Sequence, residues 1–263
     1  MYTLKAETAS GSNIILTGNE TDYQVTKVTG LNPPVAVINT AAFAGQDGAQ
    51  FNSSRLNTRN VVLTIRINGN VEANRLRLYH FFETKEWVKL TYVNGSRDCY
   101  VEGYVESVEC DYFSNSETVQ VSIICPNPYW QKSTETLVTL ENTGLWTSVE
   151  NDSDDDAGFE LTAEFGEADT SFILTIQQGV YVRQMGITYN FAAGDTLKID
   201  TRKGRKSVIL ERGGVESNIL AALGTYGFIS LFSGSNSVVY GLSESDPSDC
   251  DVTLVFREQY RGV

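Results

Sequence analysis

Histidine is nearly absent from this chain: one residue, His80, serves 263. It lies between Tyr79 and Phe81, away from any Ser or Cys in a nucleophile motif, and neither GxSxG nor a Cys–His arrangement occurs. The four cysteines, at 99, 110, 125 and 250, show no CxxC spacing. With a single histidine they cannot compose a zinc signature. They are also too sparse for a disulfide scaffold, so free, mostly buried thiols are expected. No run approaches the ~20 apolar residues of a membrane helix. Met1 to Glu7 contains no apolar signal core, so a chain made and folded in a cytosol is expected. Basic residues are short as well, 20 Lys and Arg against 33 Asp and Glu, for a net charge of -13. The imbalance is uneven: residues 1–131 carry a net -3 and residues 132–263 a net -10. A half this acidic repels polyanions, which excludes binding to nucleic acid through clustered phosphate contacts. Its charge reads as an acidic, solubilising surface.

Hydrophobic residues make up 41% of the sequence and charged ones 20%, enough apolar material for real cores. Period-two alternation dominates, as in Val61–Ile67, Glu86–Tyr92 (closed by the turn Asn94-Gly95) and Tyr100–Val108 with Gly103 as a candidate bulge. Residues 71–82 instead place Val71, Leu78 and Phe82 on one helical face, entered through Asn68–Asn70. The first half thus reads as about six strands and one helix. The second half reads as strands throughout. These include Gly158–Phe165, Ser171–Gln177, Val180–Gln184, Ile187–Phe191, Thr196–Thr201, Lys206–Glu211, Phe228–Phe232, Ser237–Gly241 and Asp251–Arg257. A helical turn or two over 217–223 is the exception. Short strands with turn signals between them, such as Gly194-Asp195 and Gly213-Gly214, describe a sandwich or barrel.

Two of five prolines fall at Cys125-Pro126-Asn127-Pro128-Tyr129-Trp130, directly after the strand-like Glu117–Ile124. Proline cannot donate to a β ladder and pushes its predecessor toward extended geometry, so pairing stops there. The expectation is a mainly β chain with an N-terminal domain over 1–131, sandwich-like or barrel-like with one helix, and a C-terminal β-sandwich domain over 132–263.

The acidic run Asp152–Asp156 fails as an EF-hand, since Ala157 and Ala163 stand where Gly and Glu are needed. Carboxylate pairs for glycoside hydrolysis meet only in a fold, so sequence carries no signal for them. Gly30–Pro34 is a rigid turn and not a phosphate loop. Lys203–Lys206 is a basic turn between two strands, too short for a nucleic-acid patch. Trp146, Tyr181, Tyr189 and Tyr226 are aromatics that can stack on sugars, though core packing is their commoner fate. No catalytic, metal-ligating or cofactor-binding residue is assigned, and the chain reads as non-enzymatic.

The order of these signals resembles the siphophage distal tail proteins. The resemblance is carried by Tyr23–Leu31, by Asp47-Gly48-Ala49 followed by Arg59–Leu63, and by the helix. Gly103–Ser107 and the Cys125–Trp130 exit continue it, and in the second half Gly194–Thr201 does. It extends over essentially the whole chain, with one departure: Asn151–Asp156 stands where the family often has a short Asn-Gly-Asp-like turn. The resemblance implies a galectin-like fold for the second domain and a structural role. Six copies would form a ring hub at the tail tip, in the virion, after assembly in the host cytoplasm. The first domain would build the ring and contact the tail tube protein, while the second supports baseplate or receptor-binding proteins. No membrane or specific nucleic-acid partner is implied. A ring needs head-to-tail contacts that close. Ala41–Asn60, too long and polar for an ordinary connection, is suited to an arm reaching a neighbouring subunit. Phe43, Phe51, Arg55 and Arg59 are the candidate ring-interface residues. A carbohydrate-binding β-sandwich module for host-surface adhesion is the alternative reading, and a glycosidase a distant third.

Overall fold

In a computed structural model, residues 2–17, 22–45, 47–111, 117–224 and 227–263 are described. The chain divides into two compact units, Met1–Ser133 together with Tyr260–Val263, and Thr134–Gln259. The expected second domain spans 132–263. Here Lys132, Ser133 and the last four residues belong with the first unit.

The first unit contains β1 (Thr3–Thr8), β2 (Asn13–Ile15), β3 (Tyr23–Thr29), β4 (Ala36–Ala41), β5 (Gln50–Leu56) and β6 (Arg59–Ile67). The helix α1 (Val71–Phe81) follows, then β7 (Trp87–Val93), β8 (Asp98–Cys110), β9 (Thr118–Cys125) and β10 (Trp130–Lys132). Its main sheet runs β2-β1-β7-β8-β9-β6-β3, and β10 pairs with β8. Alternation in β6 buries Val61, Leu63, Ile65 and Ile67, and in β9 Val119, Val121, Ile123 and Cys125. The Asn70 side chain caps α1 by accepting from the Ala73 amide. Leu78 and Phe82 are buried as the periodicity predicts, while His80 lies on the exposed side of the last turn. The strands outnumber the six expected because β2, β4, β5 and β10 lack a clear alternating pattern.

Gly103 is not the bulge. The register shift in β8 falls between Val105 and Ser107. Gly103 is needed for close approach: a Cβ there would sit 2.6 Å from the Ile124 carbonyl oxygen and 2.9 Å from the Cys125 sulfur. Gly103→Ala is therefore expected to force β8 and β9 apart and to cost about 1–3 kcal/mol, measurable by denaturant titration. A change below 0.5 kcal/mol would refute the packing argument.

The second unit holds β11 (Thr136–Thr139), β12 (Thr147–Asn151), β13 (Phe159–Phe165), β14 (Asp169–Gln178) and β15 (Tyr181–Phe191). It continues with β16 (Thr196–Asp200), β17 (Ser207–Arg212), β18 (Val215–Asn218), β19 (Gly234–Leu242) and β20 (Cys250–Phe256). All pairings are antiparallel, in a six-stranded sheet β11-β20-β13-β16-β17-β18 and a four-stranded sheet β12-β19-β14-β15. Inward residues of both sheets, among them Phe159, Leu161, Phe172, Leu174, Met185, Leu197, Val238 and Leu254, form one core, which is a β-sandwich. Two expected strands, Val180–Gln184 and Ile187–Phe191, are one, because Gly186 continues the ladder opposite Ile173. Phe228–Phe232 forms no strand; it contributes the isolated bridge Leu231–Ala157. The helical expectation over 217–223 resolves into the end of β18 and a short 3-10 turn, Leu220–Ala222.

All four cysteines are free thiols. Burial pushes Cys99, Cys125 and Cys250 up to about 12, so these three are inert packing groups at neutral pH.

Candidate functional site

The polar segment singled out in the sequence forms a ribbon. β4 and β5 pair only with each other, outside the main sheet, and the hairpin starts at Ala36, five residues before the expected arm. None of its described residues is buried. Phe51 on β5, opposite Thr40, is 60% exposed, and Phe43 in the connecting loop is 54% exposed. Val35 and Ile38 add to this apolar surface, and Arg55, opposite Val37, is exposed as well. A two-stranded ribbon alone is marginal in water, and apolar side chains held on one gain nothing from the monomer.

Arg59 does not belong with Phe43, Phe51 and Arg55. It is 2% exposed, and its donors are spent inside its own unit. Nε donates to the Pro128 carbonyl at 2.7 Å, Nη1 to the Asn32 carbonyl at 2.8 Å and to that of Gly30, and Nη2 to the Arg261 carbonyl at 2.6 Å. The guanidinium carbon lies 5.8 Å from the centroid of the Trp130 ring. Burial draws its pKa down, yet arginine stays charged in proteins. The placement has a physical reason. Two proline-bearing turns, Gly30–Pro34 and Cys125–Pro128, converge on the start of β6. Proline has no N–H, so such turns present more acceptors than donors, and the five N–H groups of arginine make up the difference. Gly30 (φ +85°) sits so near Asn60 that no side chain fits. Arg59 is thus the base on which the hairpin stands, with four of its five N–H groups committed within its own unit.

In the second unit two buried carboxylates organise loops. Asp169 accepts from the amides of Ser171, Ser243, Glu244 and Ser245 at 2.8–3.1 Å, and from the hydroxyls of Ser243 and Ser245. Burial alone would raise its pKa; the four amides outweigh that and hold the carboxyl far below the usual carboxylate range. Asp195 is held low by the Arg212 guanidinium, against its own burial. Nothing in the sequence marked Asp169, since all its partners but Ser171 lie some 75 residues away.

The acidic run disperses. Asp156 pairs with Arg183 at 2.6 Å, and the Asp154 amide donates to the Gln259 carbonyl. Among the described residues no group of three or more His, Cys, Asp and Glu is placed to hold a metal ion. Trp146 and Tyr181 are exposed and Tyr189 is half-buried, while Tyr226 lies outside the described residues. Lys203–Lys206 is the turn between β16 and β17.

A sandwich of this order, entered through the acidic run, matches the family described as the siphovirus-type tail component, C-terminal domain, over residues 152–260. The match spans most of the second unit. The resemblance to distal tail proteins seen in the sequence is borne out, and the mainly β fold with it. The whole chain also shares its fold with solved tail proteins. The crystal structure of phage SPP1 Dit (gp 19.1), described as a paradigm of hub adsorption apparatus in Gram-positive infecting phages, is matched with a TM-score of 0.71 at 18% identity, over 98% of this chain and 99% of that one. The phage P2 baseplate in its activated conformation, with Ca or with Sr, is matched with a TM-score of 0.54 at 10% identity, over 100% of both chains. No curated protein matches the chain in sequence.

Proposed function

We propose that this tail component is the hub of a siphophage tail tip, a non-enzymatic protein of the virion that closes into a hexameric ring. The first unit builds the ring and meets the tail tube protein. The second, the galectin-like sandwich, carries baseplate or receptor-binding proteins. Assembly takes place in the host cytoplasm and involves neither membrane nor nucleic acid. The observation that carries this reading is the exposed hairpin Ala36–Leu56, apolar at Ile38, Phe43 and Phe51 and anchored at its root by Arg59. It serves as the arm that packs on the next copy. Each Phe that becomes fully buried in such a contact contributes about 1.5–3 kcal/mol, repeated at every interface of the ring.

Light scattering at micromolar concentration is expected to give the mass of six 29.0 kDa chains, alone or on mixing with tail-tip partners. Changing both Phe43 and Phe51 to Ser is expected to shift the protein to monomer while leaving its circular dichroism unchanged. Rings at wild-type concentration in that variant would remove the hairpin from the interface and move the contact to the sheet edges of residues 61–124.

A further inference from the structure

At one end of the sandwich an open depression of about 520 Å³ is lined by Thr170, Thr188, Tyr189, Asn190 and Arg212. It lies along β15, the edge strand of the four-stranded sheet, where Thr188 and Asn190 alternate outward and both are exposed. Arg212, at the end of β17, comes from the other sheet. Its Nε and Nη2 donate to the two carboxylate oxygens of Asp195 at 2.8 and 2.5 Å, and Nη2 also donates to the Asn190 carbonyl at 2.9 Å. Asp195 is 1% exposed and further fixed by the Ala192 amide at 2.8 Å. The guanidinium is therefore held by a rigid buried partner, and Nη1 has no hydrogen-bond partner among the described residues. The same holds for the Thr188 hydroxyl, the Tyr189 phenol and the Asn190 amide. Four side chains with unspent hydrogen-bonding capacity surround one depression, and the half-buried ring of Tyr189 adds an aromatic surface.

We infer that this depression binds a neutral saccharide. A sugar ring offers hydroxyls that both donate and accept, which suits one fixed donor edge, an amide and two hydroxyls side by side. Charge separates it from other ligands. The hydroxyl of the lining residue Thr170 donates to the Glu244 carboxylate at 2.9 Å, within a half of the chain carrying a net -10. An anion would meet that carboxylate and that field. A purely apolar ligand would strand the four polar groups. The volume fits one or two sugar rings. This site is independent of the ring hub: it occupies one edge of the second unit and requires no second copy.

Saturation-transfer NMR on the full-length protein tests it, with glucose, galactose, N-acetylglucosamine, cellobiose, lactose and chitobiose as probes, and glucuronate and glycerol phosphate as anionic counterparts. At least one neutral sugar is expected to receive transfer, with millimolar affinity. The double variant Thr188→Val/Asn190→Ala is expected to weaken it about tenfold, since it removes two exposed hydrogen-bonding groups without touching the Asp195–Arg212 pair. Tyr189→Phe keeps the ring and is expected to weaken binding less. Arg212→Ala is the less secure variant because it orphans a buried carboxylate. The proposal is overturned by no transfer to any of the six neutral probes, by transfer undiminished in the double variant, or by preference for either anion.

Discussion

Arg59→Ala is expected to destabilise the first unit by about 3–5 kcal/mol, lowering its melting temperature by roughly 10–15 °C. Four carbonyls, those of Gly30, Asn32, Pro128 and Arg261, lose their donor in one step. Each then faces the space where the buried guanidinium stood, and an acceptor left unmet costs up to about 1–3 kcal/mol where water does not reach it. Lysine does not substitute, because a single ammonium on a flexible stem cannot reach four acceptors spread around a planar fork. Arg59→Lys is therefore expected to recover less than half of the loss. The anchor also predicts a local consequence. Deleting residues 261–263 removes one acceptor and the Val263–Leu31 backbone bond, and is expected to cost less than Arg59→Ala. Differential scanning calorimetry of the two variants decides the matter. If Arg59→Ala melts within 2 °C of the wild type, the cation is not the anchor its geometry indicates.

Asp169→Asn is expected to cost the second unit about 2–4 kcal/mol at neutral pH, because one side of the amide would point N–H groups at backbone amides that need an acceptor. The effect depends on pH in a definite direction. The folded-state pKa of Asp169 is depressed relative to an unfolded aspartate near 3.9. Its contribution is therefore complete above about pH 4 and is lost as pH falls below that. Asp195, depressed by Arg212, acts with the same sign. Wild-type stability is expected to fall steeply between about pH 4 and pH 2, whereas Asp169→Asn should fall less over that range, so the gap between the two proteins narrows. A gap that stays constant from pH 7 to pH 2.5 would show that the nest of amides does not discriminate the charged form.

Much of the architecture was legible because it rests on local rules. Alternating Val, Leu and Ile in β6, β9 and β13 can be buried only as strands, and Asn70 followed by a 3.6-residue pattern can start only a helix. The proline junction after β9 marks the end of a ladder for a reason internal to proline. Where local signals were mixed, the reading slipped. Gly103 looked like a bulge but serves close approach to Ile124 and Cys125, which lie some 20 residues further along. Phe228–Phe232 had strand-like composition, yet only Leu231 finds a bridge partner.

The sequence by itself determined that this protein is β-rich, acidic and poor in the residues that catalysis or zinc binding uses, because composition and short-period patterning act within a few residues. Tertiary structure alone decided which polar residues are free to act. Arg55 and Arg59 are four positions apart in one polar stretch, and sequence gave them the same role. One is solvent-exposed on a hairpin; the other is enclosed by carbonyls from residues 30, 32, 128 and 261. Asp169 and Asp195 likewise differ from the exposed Asp152 only through partners that the sandwich brings to them. A side chain's desolvation and its hydrogen-bond partners are set by contacts far apart in the chain, so they exist only once the fold has formed.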